Sequence, residues 1–277
     1  MLKQRVITAL VLLALLVPAL VVASPWPFAL FCLGLMSAAA WEWARLNGAG
    51  TGSPWLAVVL VACCAIALAL GWGAVAPAAL WWAALLLWCL VGSRVLRAGV
   101  AAWPRQPKAL RWSLGLVLLW IAWLAILNAR QVGINFLLSI FCIVWMADIA
   151  AYFGGRALGK RKLAPAISPG KSWEGVWSGM LGVLLLALVW LVVDRSFAID
   201  SASLFTRLLQ RLGGFGLTLV VMLLSALSVV GDLFESLIKR SAGAKDSSAL
   251  LPGHGGVLDR FDALLPVVPA ALAFASL

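Results

Sequence analysis

Charge is scarce in this chain and acid is scarcer: 11% of the 277 residues are charged, and only ten are Asp or Glu, against 64% hydrophobic. With a mean hydropathy of +1.07 and apolar runs long enough to cross the ~30 Å hydrocarbon core, a soluble domain is excluded and the chain falls in the integral membrane class. There is one histidine, His254, so no imidazole cluster is available to hold zinc. The five cysteines (Cys32, Cys63, Cys64, Cys89, Cys142) all lie inside apolar segments, are odd in number and form no CxxC pair. That removes a disulfide framework and a sulfur metal site, and leaves them as small packing residues. No repeat recurs at a fixed period and no low-complexity linker interrupts the chain, so a single domain over 1–277 is expected, with helices in 1–140 and the chemistry in 141–277. The net charge of +11 raises nucleic acid as a partner. The basic residues, however, sit in short loops between apolar segments, where orientation and anionic lipid headgroups account for them. No nucleic-acid partner is expected.

What is present is a series of apolar runs at about 6–23, 27–46, 55–72, 75–93, 112–129, 133–153, 175–193, 212–240 and 261–277. These predict an all-α polytopic membrane protein with about nine transmembrane helices. The segment 194–211 is mixed and reads as a surface helix, and the last run, 17 residues with Pro266 and Pro269, barely spans at ~1.5 Å per residue. Lys3 and Arg5 ahead of the first run, with Val21 and Ala23 before Ser24, give it some signal-peptide character. Because further spans follow at once, an uncleaved first helix is the expectation. Placing the N-terminus in the cytoplasm puts 17 of the 21 Lys and Arg inside, with only Arg130, Arg195, Arg207 and Arg211 outside. That bias sets the N-terminus in and the C-terminus out. Several of the 16 Trp (Trp26, Trp55, Trp72, Trp103, Trp112, Trp173) fall near run ends, where indoles favour the interface.

Against this background, residues 231–262 hold five of the ten acids, four of the 21 Lys and Arg, and His254. Asp232, Glu235, Ser236 and Lys239 follow i, i+3, i+4, i+7, which gathers two carboxylates, a hydroxyl and an ammonium on one helical face. A glycine-rich loop (Gly243, Gly253, Gly255, Gly256) leads to Asp259, Arg260 and Asp262 at the start of the last run. If the last two runs are antiparallel neighbours, Asp232 and Asp259 meet at one depth, where two carboxylates repel unless a cation separates them. Oxygen ligands without sulfur or clustered imidazole point to a hard ion such as Mg²⁺. Interfacial salt bridges to Lys239, Lys245 and Arg260 are the other reading of the same acids. The glycines, which let backbone approach a ligand, and the surplus of cations favour an anionic ligand beside a metal. A lone histidine is more often a hydrogen-bonded structural residue, although its position between Gly253 and Gly255 gives His254 a functional reading too.

The run Ser236, Ile238, Lys239, Arg240, Lys245, Asp246, Ser248, Leu251, Pro252, His254, Gly255, Gly256, Val257, Asp259, Arg260, Phe261, Asp262 resembles the signature of the phosphatidate cytidylyltransferases, the CDP-diacylglycerol synthases. A second block resembles the same family: Asp148, Ala151, Tyr152, Gly155, Arg156, Gly159, Lys160, Lys162, Leu163, Pro165, Ser168, Pro169, Lys171, Ser172, Trp173, Glu174 and Gly175. The two blocks cover about a fifth of the chain, and the first 140 residues match in hydropathy alone. Within the second block, Gly170, Lys171 and Ser172 look like the end of a P-loop, but Pro165 stands where its earlier glycine belongs and no βαβ context exists, so that motif is rejected. A cradle for nucleotide phosphates is the reading preferred for 154–174.

The resemblance implies a metal-dependent transfer of CMP from CTP to phosphatidic acid, giving CDP-diacylglycerol and pyrophosphate. By resemblance, Asp232 and Asp259 are the metal ligands, with Glu235 and Asp262 in support. Lys239, Arg240, Lys245, Arg260 and Lys171 would neutralise phosphate charge. Ser236, Asp246 and His254 would contact phosphate or nucleotide, as would Lys160, Ser168, Ser172, Gly255 and Gly256, and Asp148 would orient the site from the sixth run. Mg²⁺ is the expected cofactor, with a monovalent cation such as K⁺ as a candidate companion. The expected setting is a bacterial inner membrane with the site facing the cytoplasm; a homodimer stays open. A CTP-dependent lipid kinase and a cation-coupled transporter are the rival readings. A transporter would hold its acids near the membrane midplane on broken helices, whereas here they gather toward one face.

Overall fold

The computed structural model describes residues 2–50 and 54–277. Each of the nine apolar runs is helical. In chain order the elements are α1 (Leu2–Val21), α2 (Trp26–Leu46), α3 (Trp55–Ala69), α4 (Ala78–Leu87), α5 (Ser93–Ala98), α6 (Lys108–Val132), α7 (Ile134–Leu158), β1 (Lys162–Ala164), β2 (Ser168–Ser172), α8 (Trp173–Ser196), α9 (Leu204–Ser241), α10 (Leu258–Phe261) and α11 (Leu264–Ala275). A π-helical turn at Trp88–Gly92 joins α4 to α5.

Among the described residues, six helical stretches are long and apolar enough to cross a membrane: Trp26–Leu46, Ala78–Ala98, Lys108–Val132, Ile134–Leu158, Trp173–Ser196 and Leu204–Ser241. Val6–Val21 and Trp55–Ala69 are shorter apolar helices. The side chains of Lys3 and Arg5, expected to flank the first run, lie outside the described residues. The last run contributes only the 12 residues of α11, about 18 Å of helix, which is too short to cross alone. Its burial explains the length: Leu264 through Ala273 are all buried, so α11 is a core helix held among α9, α4 and α6 instead of a lipid-facing span.

The segment 194–211 holds the expected helix in its second half: residues 204–212 are helical, with Leu204, Phe205 and Leu208 buried and Gln210 and Arg211 exposed. α8 continues to Ser196, and α9 starts at Leu204 behind Ser203, whose hydroxyl caps Thr206 N. The run then bends at Gly213, where φ is +67°, before entering the membrane stretch. The architecture is helical as expected, with one short addition. Residues 162–172 form a two-stranded antiparallel hairpin with Lys162 opposite Ser172 and Ala164 opposite Ser168.

The connections gather at two ends of the bundle. At one end Lys108 reaches Gly48 O at 3.5 Å, Arg45 donates to Ser247 O, and Arg240 Nε donates to Ile167 O at 3.4 Å. At the other, Arg130 Nη2 donates to Leu20 O at 2.6 Å, Asn128 Nδ2 donates to Trp72 O at 2.8 Å, and the Asp200 carboxylate accepts from Ile134 N and Asn135 N at the start of α7. Under the first end lies an aromatic cluster: Trp43 stacks on Phe234 at 6.1 Å, and Trp88 and Trp103 meet Phe234 edge-on at 5.3 and 5.9 Å. Trp103, expected at the interface, is buried here and donates to Asn47 Oδ1 at 2.9 Å, whereas Trp26 and Trp173 are exposed. α7 and α8 pack closely because Gly175 and Gly179 face them: a Cβ there would stand 3.0 and 2.9 Å from the carbonyl oxygens of Ala151 and Ala147.

Candidate active site

Four elements meet at the first end: the last turns of α9, the 242–257 loop, α10 and the β1–β2 hairpin. The period of α9 places Asp232, Glu235, Ser236 and Lys239 on one face, as their spacing requires. Ser236 Oγ donates to Asp232 Oδ1 at 3.2 Å, while Asp232 Oδ2 lies 2.5 Å from Lys171 Nζ, delivered by β2. Lys239 Nζ lies 2.5 Å from Glu235 Oε2 and 2.6 Å from Asp259 Oδ1. Asp232 and Asp259 thus come to the same end of the bundle, each facing a different ammonium group. The salt-bridge reading of these acids describes the contacts they make.

Asp259 uses its second oxygen for the loop: Oδ2 accepts from Gly256 N at 2.8 Å and from the Ser247 N–H and hydroxyl at 3.0 Å. Burial works against charge on Asp259, but the Lys239 ammonium and the Gly256 N–H outweigh it and hold the carboxyl below the usual range. Asp262 accepts from Ala263 N at 2.8 Å; burial, reinforced by the Asp232 carboxylate, pushes it above the usual range. Gly255 adopts φ +85°, and a Cβ on it would meet Asp259 Oδ2 at 2.8 Å, so glycine is required there on both counts.

The remaining expected residues sort by exposure. Arg260 Nη2 donates to His254 O at 2.5 Å and Arg240 Nη1 to Ala244 O at 3.0 Å, so both guanidinium groups brace the loop from its surface. Lys245 and Asp246 are exposed and make no hydrogen bond or ion pair among the described residues. His254 N donates to Leu251 O at 2.8 Å, and its ring Nδ1 is buried with no partner among the described residues. Ser172 caps α8 by accepting from Gly175 N at 3.2 Å, and the Glu174 carboxylate accepts from the backbone N–H groups of Lys160 and Arg161, locking the hairpin onto α8.

Beside Lys171 and Asp232 a cavity of about 500 Å³ opens between α7, α8, α9 and β2. It is lined by the polar side chains of Asp148, Tyr152, Arg156, Ser168, Lys171, Ser172, Ser225 and Asp232, interleaved with apolar or small residues, among them Ala147, Ala151, Val176, Gly179, Met180 and Val229. A charged group and a hydrocarbon chain could lie in it together.

The donor chemistry fits a hard cation. The carboxylates of Asp148, Asp232 and Asp262 arrive from three parts of the chain and lie within one another's field, an all-oxygen donor set. No three such side chains close on one point among the described residues. The positive charge beside Asp232 and Asp259 is supplied by lysine.

The sequence profile of the Cytidylyltransferase family matches residues 3–277. The chain belongs to the Cytidylyltransferase family. It is 41% identical over 288 aligned residues to a phosphatidate cytidylyltransferase of Pseudomonas aeruginosa, covering 100% of this chain and 98% of the relative. It is 35% identical over 295 aligned residues to one from Haemophilus influenzae, covering 97% and 96%. Over 142 residues, 51% of this chain and 46% of the relative, it is 45% identical to one from Brucella melitensis. As a Cytidylyltransferase, the chain is a nucleotidyltransferase of the membrane, and its homologues are bacterial.

The polar end of the bundle includes residues outside both sequence blocks. Glu42 in α2 is fully buried and accepts from Ser247, Ser248, Val257 and Leu258, and Arg45 donates to the same loop. The available signal was a carboxylate inside an apolar run, one of only ten acids in the chain.

Proposed function

We propose that the chain transfers CMP from CTP to phosphatidic acid, releasing pyrophosphate and forming CDP-diacylglycerol at the cytoplasmic face of a bacterial inner membrane. The observation that carries this reading is the pairing of Lys171 with Asp232 in a cavity lined by both charged and apolar side chains. A phosphate monoester with acyl chains and a nucleoside triphosphate need a place that offers cations to the phosphates and apolar surface to the chains. The full-length relatives named for this activity support it.

The reaction joins two polyanions. A phosphate monoester carries about −1.5 to −2 near neutral pH, so its attacking oxygen is already ionised and needs no general base. A phosphatidate oxygen bonds to the α-phosphorus of CTP, and the bond from that phosphorus to the bridging oxygen breaks, with the electron pair leaving on pyrophosphate. Lys171, Lys239, Arg240, Lys245 and Arg260 lower the repulsion, and the loop and hairpin hold the two phosphates in line. The scarcity of histidine follows: the work is positioning and neutralisation.

Mg²⁺ is assigned to Asp232 and Asp259, with Glu235 and Asp262 in support; it would take the place of the Lys171 and Lys239 ammonium groups that these two carboxylates face here, and would supply charge neutralisation at the leaving phosphates. The N-terminus is placed inside for orientation, on the strength of the 17 to 4 division of basic residues. Detergent-purified chain given CTP, phosphatidic acid and Mg²⁺ is expected to turn over, to stop with chelator, and to lose nearly all activity in Asp259→Asn. Equal turnover by wild type and Asp259→Asn would remove the metal assignment.

A further inference from the structure

The Glu42 side chain is 0% exposed, far in sequence from the signature stretch, and accepts four hydrogen bonds. Its Oε1 accepts from Ser248 Oγ and from Val257 N at 2.9 Å; its Oε2 accepts from Ser247 Oγ at 3.0 Å and from Leu258 N at 2.7 Å. These donors are two hydroxyls in the middle of the loop between α9 and α10 and two N–H groups where that loop enters α10, so one side chain from α2 ties the second half of the loop together. Four donors on two oxygens suit an acceptor-only carboxylate, and an amide or alkyl group in its place would leave buried N–H groups unpaired. The sequence bears a mark of the same contact: a Cβ on Gly256 would stand 2.5 Å from Glu42 Oε1 and 1.9 Å from Ser247 Oγ. Arg45, three residues on, donates to Ser247 O and clamps the loop a second time.

The clamp reaches the chemistry through one hydroxyl. Ser247 Oγ is 3.0 Å from Glu42 Oε2 and 3.0 Å from Asp259 Oδ2. With Ser247 N and Gly256 N on the same oxygen, Asp259 Oδ2 is committed to the loop and Oδ1 is turned toward Lys239.

We propose that Glu42 is a positioning residue of the transfer reaction: by tying Ser247, Ser248, Val257 and Leu258 to α2 it sets which oxygen of Asp259 faces the site, which makes the N-terminal half part of the active site. This rests on the function assigned above, and it is tested by two separate readouts on the full chain in detergent. The first is amide hydrogen exchange without substrates, comparing wild type with Glu42→Gln. Exchange across 245–258 should quicken at least about tenfold while α6 and α7 stay as protected as in wild type. The second is turnover: kcat should fall roughly hundredfold, the scale of a misplacement of about 1 Å, with KM for phosphatidate within about twofold of wild type. Unchanged exchange, exchange that quickens evenly across α2, α6 and α9, or an unchanged kcat overturns the proposal. Wild type that forms no CDP-lipid would count against the assigned reaction and leave the exchange readout to decide on Glu42. Should Glu42→Gln not accumulate folded, Ser248→Ala removes one of the four donors and should raise exchange in the same segment about threefold; no rise overturns the proposal.

Discussion

Replacing Lys239 with Met keeps the length of the side chain and removes the one ammonium that two buried carboxylates share. Lys239 Nζ sits 2.5 Å from Glu235 and 2.6 Å from Asp259, and the three side chains are 11%, 1% and 7% exposed. An exposed pair would be worth at most about 1 kcal/mol. Breaking a buried pair by deleting one partner costs about 3–5 kcal/mol, because the remaining charges stay out of water without compensation. At 1.36 kcal/mol per decade, that is roughly two to nearly four orders of magnitude in the folding equilibrium. The assay is reversible unfolding of the full chain in mixed micelles, run on Lys239→Met and on the triple variant Lys239→Met, Glu235→Gln, Asp259→Asn. The single variant should show the full loss, and the triple variant should recover most of it, since neutral isosteres no longer strand a charge. A loss below about 1 kcal/mol for Lys239→Met would refute the reasoning, showing that water reaches the triad.

Lys171→Ala should behave in the opposite way. Its pair with Asp232 is about a quarter exposed on each side, so stability should fall by no more than about 1 kcal/mol, while CMP transfer should fall roughly 10²- to 10³-fold; equal and small effects on both would remove Lys171 from the site. Gly179→Ala should destabilise the bundle by about 1–3 kcal/mol, because its Cβ would stand 2.9 Å from Ala147 O across the α7–α8 contact; thermal unfolding indistinguishable from wild type would show that the helices can part at no cost.

Much of this architecture is legible in the sequence because a bilayer imposes a simple rule: apolar runs become helices, and all nine did. The spacing of Asp232, Glu235, Ser236 and Lys239 likewise survives into three dimensions, since helical periodicity is local. The number of crossings is harder to read, because an apolar run has the same composition whether lipid or protein surrounds it. α11 illustrates this: it reads as a weak final span and is a buried core helix. The hairpin at 162–172 carries no strand pattern, because its strands are short and rich in Gly, Pro and Lys. The part played by Glu42 is hidden for a different reason. Its backbone donor Val257 lies 215 residues away, and no local pattern encodes a contact that only the packed bundle creates.

The most direct measurement follows the phosphate label. Purified chain is given phosphatidic acid, Mg²⁺ and CTP labelled on either the α- or the γ-phosphate, and the lipid fraction is counted. Joining of the two polyanions at the Lys171–Asp232 and Lys239–Asp259 pairs predicts that α-label enters the lipid and γ-label leaves as pyrophosphate. γ-Label in the lipid with CDP left in solution would contradict it and make the chain a lipid kinase.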